Sequence, residues 1–241
     1  MRNAHGYKQP WGLRDENKWL GALDPYWLDP TVCRSRDTEQ FIRKVELEYI
    51  QRLDPQEWYD FLNKYLRWKF TGNHLHERLM DLDQNSFEHL FSAKRSLVAT
   101  EGLDLADSGK GPNLVKSPGI RGLDYPGASG QLALIFKEGF GTVDHLVLES
   151  LCRIKSLPEK QRIREIRAWV ERERLEREYA LVVIDIMRRK AVQLNAWFGT
   201  NRWTPHKIAM ILWTSNRPVW AEHHEVQLVR RGIDEQTPPP S

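Results

Sequence analysis

Ile120-Arg-Gly-Leu-Asp-Tyr-Pro-Gly-Ala-Ser-Gly-Gln-Leu-Ala-Leu-Ile-Phe136, continued by Lys-Glu-Gly-Phe-Gly-Thr-Val-Asp144, is the stretch on which the reading of this chain turns. Gly122 lets the backbone turn, a largely apolar segment follows, and Asp144 stands directly ahead of a helix that runs to about Ile154. A tight turn feeding a helix offers backbone N–H groups at the helix N-terminus, and such groups bind a phosphate without reading base sequence. Asp is also a preferred N-cap, so Asp144 taken alone is a helix cap, a reacting carboxylate, or both.

Upstream, residues 100–119 carry Gly102, Gly109, Gly111, Pro112, Pro118 and Gly119 with few large apolar side chains, the composition of a loop. At about twenty residues it exceeds the connection a compact domain needs, which makes it a candidate functional loop. Before it, Phe41, Ile42, Val45, Tyr49 and Leu53 recur at three- and four-residue steps behind Thr38 and predict one helix over 38–53. Pro55 then opens a second helix, with Trp58, Phe61, Leu62, Tyr65 and Leu66 on one face, ending near Gly72. Short helices over 75–82 and 85–98 follow. Residues 1–36, rich in Gly, Pro, Trp and Asp without a sustained period, predict an irregular, non-helical arm pinned by Trp11, Trp19 and Trp27. Beyond Asp144 the chain predicts a long helical region over 158–198, either one bent helix or two, and a last helix from Thr204-Pro205 to about Asn216. The Pro-rich end at Pro238 to Ser241 reads as disordered. No strand signal stands out. The expected fold is all-α, a two-lobed helical bundle: 1–110 an arm and helical lobe, 111–221 the lobe holding the turn and Asp144, 222–241 a tail.

Composition narrows the chemistry. The 36 Lys and Arg nearly balance the 33 Asp and Glu, so nucleic-acid binding does not follow from net charge. Between Arg153 and Lys190, however, twelve basic residues face seven acidic ones; this is either a binding surface or a solvated helix laced by pairs such as Glu173/Arg177. Two cysteines, Cys33 and Cys152, cannot supply a four-thiolate zinc site or an iron–sulfur cluster. The histidine pairs His74/His76 and His223/His224 lack the spacing of metal ligands, so no metal or cofactor is expected. No apolar run approaches the ~18 residues of a membrane span, and the N-terminus shows no export signal; a cytoplasmic monomer is the expectation.

The spacing from Ile120 to Asp144 resembles the helix-hairpin-helix element of DNA glycosylases: apolar, any, Gly, apolar, Gly, three of any type, Ala, an apolar helix, and an Asp about twenty residues on. Gly122 and Ala128 match; Asp124 replaces the second glycine, and Asp is among the few residues besides glycine that tolerate the left-handed region. The segment Asn201 to Arg217 is similar to the closing helix of bacterial proteins related to this superfamily. The resemblance covers about Leu114 to Arg217. It implies double-stranded DNA as partner, with Arg121, Gly122, Leu123, Asp124 and Gly127 at the backbone and Lys116 and Lys137 offsetting the Asp124 charge.

It also implies chemistry. Asp144 takes the place of the catalytic aspartate, stabilising an oxocarbenium-like sugar and activating water while the base departs. Relatives with strand-cutting activity carry a hairpin lysine that forms a Schiff base; here that place holds Pro126, or Tyr125 if the alignment slips by one, so a monofunctional enzyme leaving an abasic site is expected. A flipped base needs aromatic faces, for which Tyr125, Trp58, Trp68, Trp197 and Trp203 are candidates, each equally readable as core. The long loop and Trp-rich arm suit relatives that act on hypermodified cytosine in phage DNA and so defend a bacterium, beside the base-excision repair reading. A non-catalytic helix-hairpin-helix module that binds duplex DNA is the alternative, and an α-helical interaction scaffold a third.

Overall fold

The computed structural model describes residues 10–29, 32, 36–99, 120–172 and 175–215. Among them every regular element is a helix. The 100–119 loop, Lys116, Cys33, the Glu173/Arg177 pair, His223/His224 and the tail therefore lie outside the described residues or their described side chains.

The arm differs from expectation. It contains two short helices, α1 (Glu16–Gly21) and α2 (Asp24–Leu28), the first capped by the Asp15 carboxylate, which accepts from Asn17 N at 3.0 Å. Helices of five or six residues are too short to leave a legible period in the sequence. The predicted helix 38–53 is also two, α3 (Arg36–Lys44) and α4 (Leu47–Arg52), separated by an extended Glu46. Ile42 and Val45 are buried three residues apart, but the next buried residue is Ile50, five further on. The extended residue resets the helical phase so that Ile50, rather than the exposed Tyr49, faces the core.

Helix α5 (Pro55–Lys69) starts at a complete capping box: Asp54 accepts from Glu57 N at 2.8 Å, and Glu57 accepts from Asp54 N at 2.8 Å. Its face of Trp58, Phe61, Leu62, Tyr65 and Leu66 is buried as the period predicts. Helices α6 (Gly72–Asp83) and α7 (Phe87–Val98) pack on it. The segment after the turn forms α8 (Tyr125–Ile135), followed by α9 (His145–Arg153), α10 (Lys160–Val170), α11 (Arg177–Phe198) and α12 (Pro205–Thr214). The long 158–198 region is thus two helices.

Every residue of α8 from Gly127 to Ile135 is buried. A helix that is buried on all sides belongs at the centre of a fold, and α8 packs on α5 from the first half of the chain and on α11 and α12 from the second. The buried residues of both halves form one contiguous core around it. No helix among the described residues is long and apolar enough to cross a membrane.

Candidate active site

The turn comes first. Gly122 has φ of +91°, in the region where a side chain is strained, and a Cβ there would stand 2.6 Å from Arg78 O and 3.2 Å from Leu82 N. Glycine is needed because the turn lies against the backbone of α6. Asn85 holds the same turn, accepting from Arg121 N at 3.0 Å and donating to Arg121 O at 3.2 Å.

Asp124 departs from the expected left-handed conformation. Its backbone is extended, with φ −77° and ψ −179°, and it is the N-cap of α8, accepting from Gly127 N at 3.0 Å. Its other oxygen pairs with the Arg78 guanidinium. Several groups expected at a DNA backbone are thereby engaged within the protein: the amides of Arg121, Leu123 and Gly127 each have an internal acceptor. The Arg121 guanidinium donates to Gln84 Oε1 at 2.7 Å, and Lys137 lies 3.9 Å from Glu46. At most the amides of Gly122, Asp124 and Tyr125 remain for a phosphate.

Asp144 caps α9. Its Oδ1 accepts from Leu146 N and Val147 N, both at 3.1 Å. Its Oδ2 faces the Lys69 ammonium at 3.2 Å, and the two side chains are only 13% and 12% exposed. Three neighbours hold this pair in place. Ser129 Oγ, on α8, accepts from Val143 N at 2.9 Å and so ties the residue before Asp144 to the central helix. Tyr65 donates to Gly127 O at 2.6 Å from one turn before Lys69, and burial together with the Asp124 charge pushes its hydroxyl well above the ordinary range, keeping it a donor. Gly130 makes room: a Cβ there would lie 2.5 Å from the Tyr65 hydroxyl oxygen and 3.5 Å from Lys69 Cε.

Both ion pairs line one cavity of about 590 Å³. Its aromatic walls are Trp68 and Phe70 at the end of α5, Trp213 on α12, and Tyr26 from the arm; Val32 also lines it. The arm is therefore part of the cavity, and Trp68 Nε1 donates to Val32 O at 3.2 Å. His206, at the start of α12, lines it too. Burial, with the Lys137 and Lys207 charges adding to it, lowers His206 to about 3, so its imidazole is neutral.

Of the aromatic candidates, only Trp68 lines this cavity. Trp58 is fully buried and stacks on Phe61 at 5.2 Å. Trp203 is buried edge-on against Trp19, with its Nε1 donating to Glu16 at 3.3 Å. Trp197 lines a separate cavity of about 350 Å³ beside Trp11 and Lys190. Tyr125 packs against the core. Part of the basic segment is paired with carboxylates: Arg153 and Arg167 with Glu149, Arg162 with Glu165, and Arg189 with Asp185 and Glu159. Lys69, Arg78, Phe70 and His206 were not singled out by sequence. Lys69 is 75 residues from Asp144, and no local pattern announces the pairing. Among the described residues, no group of three or more His, Cys, Asp or Glu is placed to hold a metal.

Among the described residues, fold and site define an all-helical protein in which two helix-capping aspartates, each paired with a cation from the first half of the chain, open on an aromatic cavity. Compared with family models, curated proteins and solved structures, the chain matches none.

Proposed function

We propose that this protein is a DNA glycosylase that takes an everted base into the cavity and hydrolyses its N-glycosidic bond, with Asp144 at the sugar. The observation that carries the reading is that the Asp144 carboxylate is not spent on its own helix: while Oδ1 caps α9, Oδ2 faces Lys69, and Asp144 lines a cavity that the turn residues Asp124 and Pro126 also line. Bond cleavage builds positive charge on the deoxyribose, and a carboxylate fixed by two backbone amides meets it without reorganising. The same oxygen orients water for attack at C1′. Trp68, Phe70 and Trp213 supply the faces that offset the stacking lost when a base leaves the duplex. Duplex DNA is the partner, gripped along its backbone beside the turn.

The cavity falls within the ~300–1,000 Å³ typical of pockets for sizeable ligands; enlarged bases, including the hypermodified cytosines of phage DNA, belong among its substrates, and an anti-phage role accords with that. The test is incubation with duplexes carrying a panel of base lesions and with phage DNA, followed by alkali. Wild type yields alkali-labile strands. Asp144→Asn, which keeps a cap and the shape, lowers the rate by roughly 10²–10³. Equal cutting by both variants would reject the mechanism.

A further inference from the structure

Resting on that reading, we infer that Lys69 is a second reacting group of the site, and that its amine condenses with the C1′ aldehyde of the abasic product. The turn itself holds no lysine between Arg121 and Phe136. The amine arrives from the other half of the chain, at the C-terminal end of α5, 3.2 Å from Asp144 Oδ2 and lining the same cavity. A sugar carbon in contact with Asp144 is then within reach of Lys69 Nζ, which sits on a flexible four-carbon stem.

The contrast with Asp124 sharpens the assignment. There the partner of the capping carboxylate is Arg78, permanently charged and planar, which suits a cation whose work is to hold. At Asp144 the partner is a primary amine, the side chain whose nitrogen can form an imine with an aldehyde, and it is the less exposed of the two cations, 12% against 25%. An ammonium beside Asp144 also opposes the positive charge that builds on the sugar. It is a poor fixture for hydrolysis alone and a good neighbour for the aldehyde that hydrolysis releases. Gly130 leaves room for the Tyr65 hydroxyl to approach α8, and Lys69, one turn further along α5, comes to the same face of that helix.

The step balances without oxidant or reductant. Base hydrolysis leaves a hemiacetal that opens to the C1′ aldehyde. Lys69 hands one proton to Asp144, the freed nitrogen pair adds to C1′, and the carbonyl oxygen departs as water, carrying that proton and a second from nitrogen. Ammonium and aldehyde have become iminium and water, with charge unchanged. Asp144 is then free to take a proton from C2′, the electrons of that C–H bond form C2′=C3′, and the C3′–O bond breaks with the 3′ phosphate leaving.

The experiment uses the full chain and a duplex with one abasic site made beforehand, so that no knowledge of the target base is needed, with cyanoborohydride to reduce the imine. Wild type is expected to give a covalent protein–DNA adduct, mapped by peptide mass spectrometry to the peptide containing Lys69. With Lys69→Arg the adduct falls to background while binding of the abasic duplex in a gel shift is kept. An adduct mapped to another amine overturns the inference, whatever the variant does. So does binding of the abasic duplex by wild type without an adduct, and that result leaves the glycosylase reading standing. If wild type binds no DNA at all, both fall.

Discussion

Asp124 and Asp144 are built alike. Each is extended, each caps a helix with one oxygen, and each turns the other oxygen to a cation from the first half of the chain. They differ in partner and exposure: Asp124 with Arg78 is about a quarter exposed, whereas Asp144 with Lys69 is nearly closed off. An ion pair at the rim contributes little and tolerates solvent. A pair withdrawn from water in an apolar cavity has strong fields, which makes it expensive as cement and useful as chemistry. The first pair therefore clamps the turn to α6, and the second is the one that the proposed chemistry would use.

The largest expected effect separates them directly. Asp144→Asn costs roughly 10²–10³ in base release, whereas Asp124→Asn keeps the cap, leaves Arg78 without its carboxylate and lowers stability by about 1 kcal/mol, with base release reduced less than about tenfold. Rates of alkali-labile site formation and urea midpoints on the two variants check this. If Asp124→Asn proves the inactive one, the roles are exchanged.

A third cation tests whether burial alone makes a lysine reactive. Lys190 is 7% exposed, but its partners are the Trp11 carbonyl at 2.8 Å, the Gln193 side-chain oxygen at 2.6 Å and the indole faces of Trp11, Trp19 and Trp197. It anchors the arm. Burial lowers it to about 8 from 10.5. Between those values the unfolded chain keeps a proton that the folded protein has lost, so stability rises with pH, by about 1.4 kcal/mol per unit. Urea midpoints measured from pH 8 to 10 should climb in wild type and not in Lys190→Met. That variant should retain full activity, because no atom of Lys190 lines the Asp144 cavity. An activity loss there would tie the arm's anchor to the chemistry.

The sequence makes the helices with strong starts legible. Pro55, Asp144 and Thr204-Pro205 each open the helix they announce, whereas Asp124, expected in the left-handed region of the turn, is itself the cap of α8. The arm helices were illegible because so few residues carry no period, and the break at Glu46 because an intact apolar spacing hides a change of phase. Asp144 was legible as a cap and, through the resemblance, as a candidate reacting carboxylate. Its partner was not, because Lys69 meets it only through the packing of α5 on α8. The aromatics were legible in number and not in placement: Trp58 and Trp68 stand ten residues apart on one helix and so point about 80° apart, one into the core and the other to the cavity.

Gly130 carries the smallest and most specific prediction. Glycine inside a helix costs about 1 kcal/mol relative to alanine, so Gly130→Ala gains that amount from the backbone. Against the gain, its methyl meets the Tyr65 hydroxyl oxygen at 2.5 Å, and that hydroxyl is buried and bonded to Gly127 O. Overpacking of this kind costs about 1–3 kcal/mol. The net loss is roughly 1 kcal/mol, a fall in melting temperature of about 2–4 °C. The chemical effect runs ahead of the stability effect, because Tyr65 stands one turn before Lys69 on α5, so a ring displaced from α8 by the methyl shifts the helix that carries Lys69 to Asp144. Covalent trapping on abasic DNA should drop more steeply than the melting temperature, and a variant that traps as efficiently as wild type would show that the lysine needs no cradle on α8.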